Sequence, residues 1–87
     1  MREAVRRRLD ESAATVNGVA DVCFYLATYS ARLCKKDVVT EFLRRHRGRQ
    51  YPSKLELKAG LERVLRAGVI ARHGRYWFRS TIYREIP

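Results

Sequence analysis

Hydrophobic residues recur at helical spacing along the first three-quarters of the chain and alternate with polar residues near its end. Residues 2–14 place few apolar side chains on one face, so the pattern predicts a weakly amphipathic helical arm. Asn17 and Gly18 are expected to end this arm. Apolar residues then return at intervals of three and four, which predicts a first core helix whose apolar row extends to Leu33. The aromatic residues of that helix are expected to thicken its apolar side: Phe24, Tyr25 and Tyr29.

Two further helices are predicted before residue 69. Asp37 is placed to cap the first of them, and its apolar stripe ends at His46. Ser53 and Glu56 have the S-x-x-E spacing of a capping box, in which each side chain binds the other residue's backbone N–H, so the next helix begins there. Gly68 is expected to end it in the left-handed conformation. The inner face of this third helix is expected to carry Leu57, Leu61, Val64 and Leu65, and its outer face Leu55, Ala59, Gly60, Arg63 and Arg66.

After Gly68 the apolar period changes from that of a helix to two. Residues 69–73 and 76–79 predict two short strands, joined by a tight turn at Gly74 and Arg75. Three helices followed by a hairpin with a charged tip are typical of the winged helix-turn-helix, in which the hairpin is the wing. The predicted fold class is mainly α with a small β-hairpin (α+β): a three-helix core plus wing, with an extra N-terminal helical arm. Its expected parts are the arm at 1–16, the winged-helix domain at 17–80 and a short tail at 81–87.

The charge of the chain is concentrated in its second half. The 87 residues carry 19 Lys and Arg against 9 Asp and Glu, which gives a formal net charge of +10. Between Arg44 and Arg79 there are 11 basic residues and 2 acidic ones, so this stretch alone holds a net charge of +9. A one-signed surface on so small a domain favours a polyanionic partner, and the excess of Arg over Lys suits phosphate groups.

Several classes of protein are excluded by what the sequence lacks. No apolar run reaches the roughly 18 residues of a membrane span, and the basic N-terminus is not followed by the apolar segment of a secretory signal. Cys23 and Cys34 are expected to be reduced thiols, so we predict an intracellular protein of the nucleus and its chromatin or of a prokaryotic or viral nucleoid. Nucleotide-binding, zinc-binding and hydrolase motifs are missing, and His46 and His73 lie far apart in the chain. We therefore predict that the protein is not an enzyme and holds no metal or cofactor.

The segment Leu57–Ile70 resembles the third helix and first wing strand of the linker histone globular domain. That family has the pattern apolar-Lys-x-x-apolar-Lys-Arg-apolar-apolar-x-x-Gly-apolar-apolar here, and the resemblance extends over residues 19–80. It implies that Lys58 and Arg63 contact DNA, while Glu62 stands where the family has Lys. The order of elements is also similar to that of winged helices in CpG-reading chromatin proteins and MYST acetyltransferases.

These observations predict a double-stranded DNA-binding protein, either a transcription regulator or an architectural protein of chromatin. The third helix is expected to enter the major groove, and the wing to reach phosphate or the minor groove. Ala59 and Gly60 are expected to let the helix approach the groove closely. The expected contacts are Lys54, Lys58, Arg63 and Arg66 on the helix, Arg72 and Arg75 on the wing, and Arg44, Arg45, Arg47 and Arg49 as secondary phosphate contacts.

Two alternatives stay open at this point. Tyr51, Tyr76 and Trp77 could stack on unpaired bases in an RNA-binding component of a ribonucleoprotein. The domain could instead be a winged helix that binds another protein, although its one-signed charge is unusual for such surfaces. The arm at 2–14 is a candidate dimerisation helix, and its triple arginine, Arg6–Arg8, is either solvated or lies along phosphates.

Overall fold

The computed structural model describes residues 2–73 and 76–79, which form three helices and three short strands. In chain order they are α1 (Glu3–Tyr29), β1 (Arg32–Leu33), α2 (Lys35–Arg45), α3 (Lys54–Arg66), β2 (Ile70–His73) and β3 (Tyr76–Arg79). The predicted class, mainly α with a small β component, is confirmed. No helix in the described part of the chain is both long and apolar enough to cross a membrane. The predicted turn at Gly74 and Arg75 and the predicted tail at 81–87 lie outside the described residues.

The first helix is continuous where the sequence predicted a break. α1 runs for 27 residues through Asn17 and Gly18, so the predicted arm and the predicted first core helix are one helix. A glycine inside a helix costs about 1 kcal/mol relative to alanine, but here its missing side chain admits a neighbour. A Cβ atom on Gly18 would lie 2.8 Å from the Phe42 ring, which is closer than such atoms pack. Gly18 is therefore the place where α2 approaches α1, and the helix does not break there.

The other end of α1 also differs from the prediction. The helix ends at Tyr29, and the backbone N–H of Ser30 donates to the Leu26 carbonyl over 2.8 Å. Leu33 does not extend the helix, because it lies in β1, where it is buried. The apolar row read from the sequence therefore crosses from a helix into a strand.

The aromatic residues of α1 lie outside the core, so that expectation was wrong. Phe24, Tyr25 and Tyr29 are 36%, 41% and 74% exposed. The buried side of the helix contains Val19 and Val22. At about 100° per residue, Phe24 and Tyr25 fall beyond the edges of that side, and Tyr29 lies in the last turn.

α2 begins two residues earlier than the expected cap. Its N-cap is Cys34, and Asp37 lies in the first turn, where its negative charge suits the positive end of the helix dipole. His46 is the C-cap residue, and its exposed ring lies 4.6 Å from the Phe42 ring. The histidine thus lies at the exposed end of the apolar stripe and packs against its last buried residue, Phe42.

The limits of α3 confirm the sequence prediction. The Ser53 hydroxyl accepts a hydrogen bond from the Glu56 backbone N–H over 3.1 Å, and the Glu56 carboxylate accepts one from the Ser53 N–H over 2.9 Å. Gly68 follows the helix with a φ of 76°, a conformation that glycine adopts without strain. The inner face is also as predicted, with Leu61 and Val64 buried.

The predicted hairpin is confirmed, and it belongs to a three-stranded sheet of order β1–β3–β2. β2 and β3 pair antiparallel, with Ile70 opposite Arg79. β1 pairs antiparallel with β3, where Leu33 lies opposite Trp77. A strand of two residues has no period to read, which is why the sequence did not predict it. The sheet ties the connection between α1 and α2 to the hairpin.

The core forms where α1 packs against both other helices. Burial raises the pKa of the Cys23 thiol to about 12, so this group stays protonated and unreactive. Cys23 and Cys34 are both free thiols. The buried apolar side chains are Val19, Ala20, Val22, Cys23, Ala27, Leu33, Val38, Phe42, Leu61, Val64, Val69 and Ile70.

Candidate nucleic-acid interface

The outer face of α3 carries Lys54, Lys58 and Arg66 as exposed side chains. It also carries Leu55, which is 79% exposed. The acidic residue on this face, Glu62, lies 3.8 Å from the Arg66 guanidinium in an exposed ion pair. An exposed pair of this kind is worth only about 0–1 kcal/mol, so Arg66 can leave it for a phosphate group.

Gly60 does not belong to this outer face, which corrects the prediction that it lets DNA approach. Gly60 is buried, and a Cβ atom built on it would lie 2.5 Å from Cγ1 of Val19. The same atom would lie 3.2 Å from the Val16 carbonyl oxygen. The missing side chain therefore lets α3 approach α1. Ala59, its neighbour, is exposed as predicted.

Arg63 turns from the outer face of α3 toward α1. Its guanidinium donates a hydrogen bond to the side-chain oxygen of Asn17. Together with Val16, Ala59 and Arg66 it lines an open groove between the two helices. Arg63 is exposed, so it remains accessible to a ligand, but part of its hydrogen-bonding capacity is already used.

Arg44 and Arg45, at the end of α2, share one carboxylate. Arg44 binds Glu41 through two hydrogen bonds of 2.8 and 2.6 Å, and Arg45 binds it over 3.0 Å. These hydrogen bonds lower the pKa of Glu41 to about 2, and that of Arg44 has the largest effect. The Arg45 guanidinium also lies 4.5 Å from the centre of the Tyr25 ring. Both arginines are thus held locally, and Glu41 offsets part of their charge.

Arg49 lies in a polar cleft between α1 and the connection from α2 to α3. Its guanidinium donates to the Thr15 hydroxyl over 3.2 Å. Arg8 and the exposed ring of Tyr51 line the same cleft. Glu56 also lines it, and the Ser53 backbone N–H lowers the pKa of its carboxyl. Arg8 and Arg49 line one cleft only because of how α1 packs, so their proximity could not be predicted from their positions in the chain. The remaining arginine of this stretch, Arg47, is exposed.

Of the two basic hairpin residues that were predicted to contact DNA, the structure describes Arg72 and not Arg75. Arg72 is exposed, and its guanidinium lies 5.9 Å from the Trp77 ring centre. Lys35 of α2 lies 5.2 Å from the same ring, which is partly buried against the core. Trp77 is therefore largely occupied within the protein and is a poor platform for a base. Arg75 and the side chain of Tyr76 lie outside what is described.

Within residues 2–73 and 76–79, no three His, Cys, Asp or Glu side chains lie close enough together to hold a metal ion. No family model, curated protein or solved structure matches this chain. The function is therefore inferred from the side chains themselves, and the outer face of α3 presents several exposed cations on a helix whose inner face is buried in the core.

Proposed function

We propose that the protein is a double-stranded DNA-binding winged-helix module. The observation that carries the proposal is the outer face of α3, where Lys54, Lys58 and Arg66 are exposed and the inner face of the same helix is fixed in the core. An α-helix fits the major groove of DNA, and cations at its edge neutralise phosphates.

The arrangement of elements supports this proposal. The elements follow in the order helix, short strand, two helices and hairpin, and the three strands form a sheet of order β1–β3–β2. The hairpin contacts α3, the helix that would enter the groove. The resemblance of 57–70 to the linker histone globular domain favours an architectural or regulatory role in chromatin or a nucleoid. Arg72 and Arg75 on the hairpin would then contact phosphate or the minor groove.

The predicted contacts contribute unequally in this mechanism. Lys54, Lys58 and Arg66 supply the main phosphate contacts, because none of them is needed by the core. Arg63 must share its guanidinium with Asn17. Arg44 and Arg45 make weaker contacts for a similar reason, since both bind Glu41. Arg49 shares its guanidinium with Thr15, and Arg47 is an additional exposed phosphate contact.

The proposal is tested by fluorescence anisotropy of a labelled DNA duplex, titrated at several salt concentrations. Lys58→Ala with Arg66→Ala is expected to weaken binding about tenfold or more and to reduce the slope of log affinity against log salt by about 2. The matched control removes two exposed cations elsewhere, Arg2→Ala with Lys36→Ala. Both double variants should keep the wild-type melting temperature. Equal losses in the two variants would refute the α3 surface.

A second candidate is single-stranded RNA binding in the cleft of Arg8 and Arg49. The observation that favours it is Tyr51, whose ring is 74% exposed beside two arginines and is free to stack on a base. The same titration includes a labelled single-stranded RNA. Tighter RNA than duplex binding that falls in Tyr51→Ala, with no loss in Lys58→Ala with Arg66→Ala, would replace the DNA proposal with this one.

A further inference from the structure

One line of side chains along α1 is exposed from its first turn to its sixth. These residues follow one another at alternating intervals of four and three, the spacing of residues that share one face of an α-helix. All of them are exposed: Glu3, Arg7, Asp10, Ala14, Asn17 and Asp21. We name this line the α1 seam.

The charges of α1 are divided between its two ends. Residues 2–8 contain four Arg and one Glu, a net charge of +3. Residues 9–31 contain three acidic residues and no Lys or Arg, a net charge of −3. Two such helices side by side in parallel would set like charges together. In antiparallel order, each positive end lies beside a negative segment.

The charged residues of the seam have no ion-pair partner among the described residues, whereas Asn17 accepts a hydrogen bond from Arg63. Arg7, Asp10 and Asp21 form no salt bridge with any residue of 2–73 or 76–79. Residues 3–11 of α1 are all exposed. An isolated helical segment of this length is marginal in water, so a second surface along it would stabilise it.

We propose that a second copy of this chain binds antiparallel along the α1 seam, with a two-fold axis at Ala14. In this register, Arg7 of each copy faces Asp21 of the other, and Asp10 of each lies beside Asn17 of the other, one residue from the position directly opposite. The small side chain of Ala14 lies at the crossing and allows the two backbones to approach closely. Arg6 of each copy lies near the exposed ring of Phe24 in the other, a suitable cation–π pair.

The alternation of charge along the seam identifies the occupant as this chain and not a nucleic acid. Glu3, Asp10 and Asp21 lie on the same line as Arg7, so a phosphate backbone laid along it would meet three carboxylates. A second copy presents the opposite charge at each of the Arg7 and Asp21 positions. The interface uses one helix from each chain and is therefore small, so we expect a dimer that forms in the micromolar range and weakens with salt.

The experiment is sedimentation velocity of the nuclease-treated full chain over a range of concentrations and salt. Asp21→Arg places an arginine opposite Arg7 of the other copy, and the two-fold axis repeats this repulsive contact. The substitution is expected to raise the dimer dissociation constant about tenfold or more. Combining it with Arg7→Asp restores opposite charges and should restore the dimer. Asp37→Arg, which reverses an exposed acid on α2, is the control and should leave the dissociation constant unchanged. Circular dichroism verifies the helical content of each variant.

A cysteine pair tests the register separately. In a Cys34→Ser background, Ala14→Cys should form a disulfide-linked dimer on mild oxidation, because the two-fold axis brings the two thiols together. Ala4→Cys is the control, since the proposed register sets its two copies about 30 Å apart. A chain that stays monomeric at all concentrations, a dimer that Asp21→Arg leaves intact, or equal cross-linking at positions 4 and 14 would each overturn the proposal.

Discussion

α1 contains two segments with the same backbone and opposite surroundings. In the packed segment, residues 15–27, seven side chains or backbone positions are buried against the rest of the chain. In the projecting segment, residues 3–11, every residue is exposed. Both segments are helical, so an uninterrupted helix does not show which interactions stabilise each part of it. The packed segment is stabilised by tertiary contacts, whereas the projecting segment depends on local helix propensity and on whatever binds its surface.

The largest expected effect is a difference in stability loss between the same substitution, valine to alanine, made in each of the two segments. Val19→Ala removes a fully buried side chain and should lower the free energy of unfolding by about 2–3 kcal/mol. Val5→Ala, at a position 44% exposed, should change it by less than about 0.5 kcal/mol. Chemical denaturation followed by circular dichroism measures both. Equal effects would mean that the projecting segment is packed in solution.

A smaller effect is expected where α3 meets the packed segment. Gly60→Ala brings a Cβ atom within 2.5 Å of Val19, so the helices must separate. Overpacking costs about 1–3 kcal/mol, and the gain in helix propensity returns about 1 kcal/mol, so we expect a net loss of up to about 2 kcal/mol. Combined with Val19→Ala, the substitution should cost less than the sum of the two single changes. A more stable Gly60→Ala protein would contradict the close approach.

The smallest effect concerns charge near the packed segment. Arg44 and Arg45 lower the pKa of Glu41 from its ordinary value near 4.5 to about 2. Because the folded pKa is the lower one, the stability that this carboxylate contributes is present above pH 4.5 and is lost as the pH falls toward 2. Glu41→Gln should therefore flatten the fall in melting temperature over this range by a small amount, since the group is at the surface. Glu3→Gln, in the projecting segment, is the matched control, and an identical pH profile in both variants would argue against the arginine pairs.

The sequence predicted those features that depend on local chemistry. The capping box of Ser53 and Glu56, the glycine at the end of α3 and the two hairpin strands each need only a few neighbouring residues, and each was confirmed. The winged-helix assignment and the DNA contacts remain predictions.

Features that depend on distant partners were missed. Gly18 and Gly60 looked like a helix break and an open surface, yet each admits a side chain from another helix: Phe42 in one case and Val19 in the other. β1 is too short to show a period, and it is recognisable only through its pairing with β3. The expectation for the aromatic residues of α1 failed for another reason, since their own helical positions place Phe24 and Tyr25 beyond the buried side of the helix.

The sheet order has a consequence for how the chain folds. β3 lies between β1 and β2, so the strand that follows all other described elements occupies the centre. The Arg79 backbone N–H donates to the Ala31 carbonyl over 2.6 Å, and its guanidinium donates to the Ala27 carbonyl over 3.2 Å. These contacts close a long loop, and loop closure of this kind slows folding relative to the local contacts of helices. The helices can therefore assemble first, and the pairing of β3 is the step that joins the end of α1 and β1 to the later part of the chain.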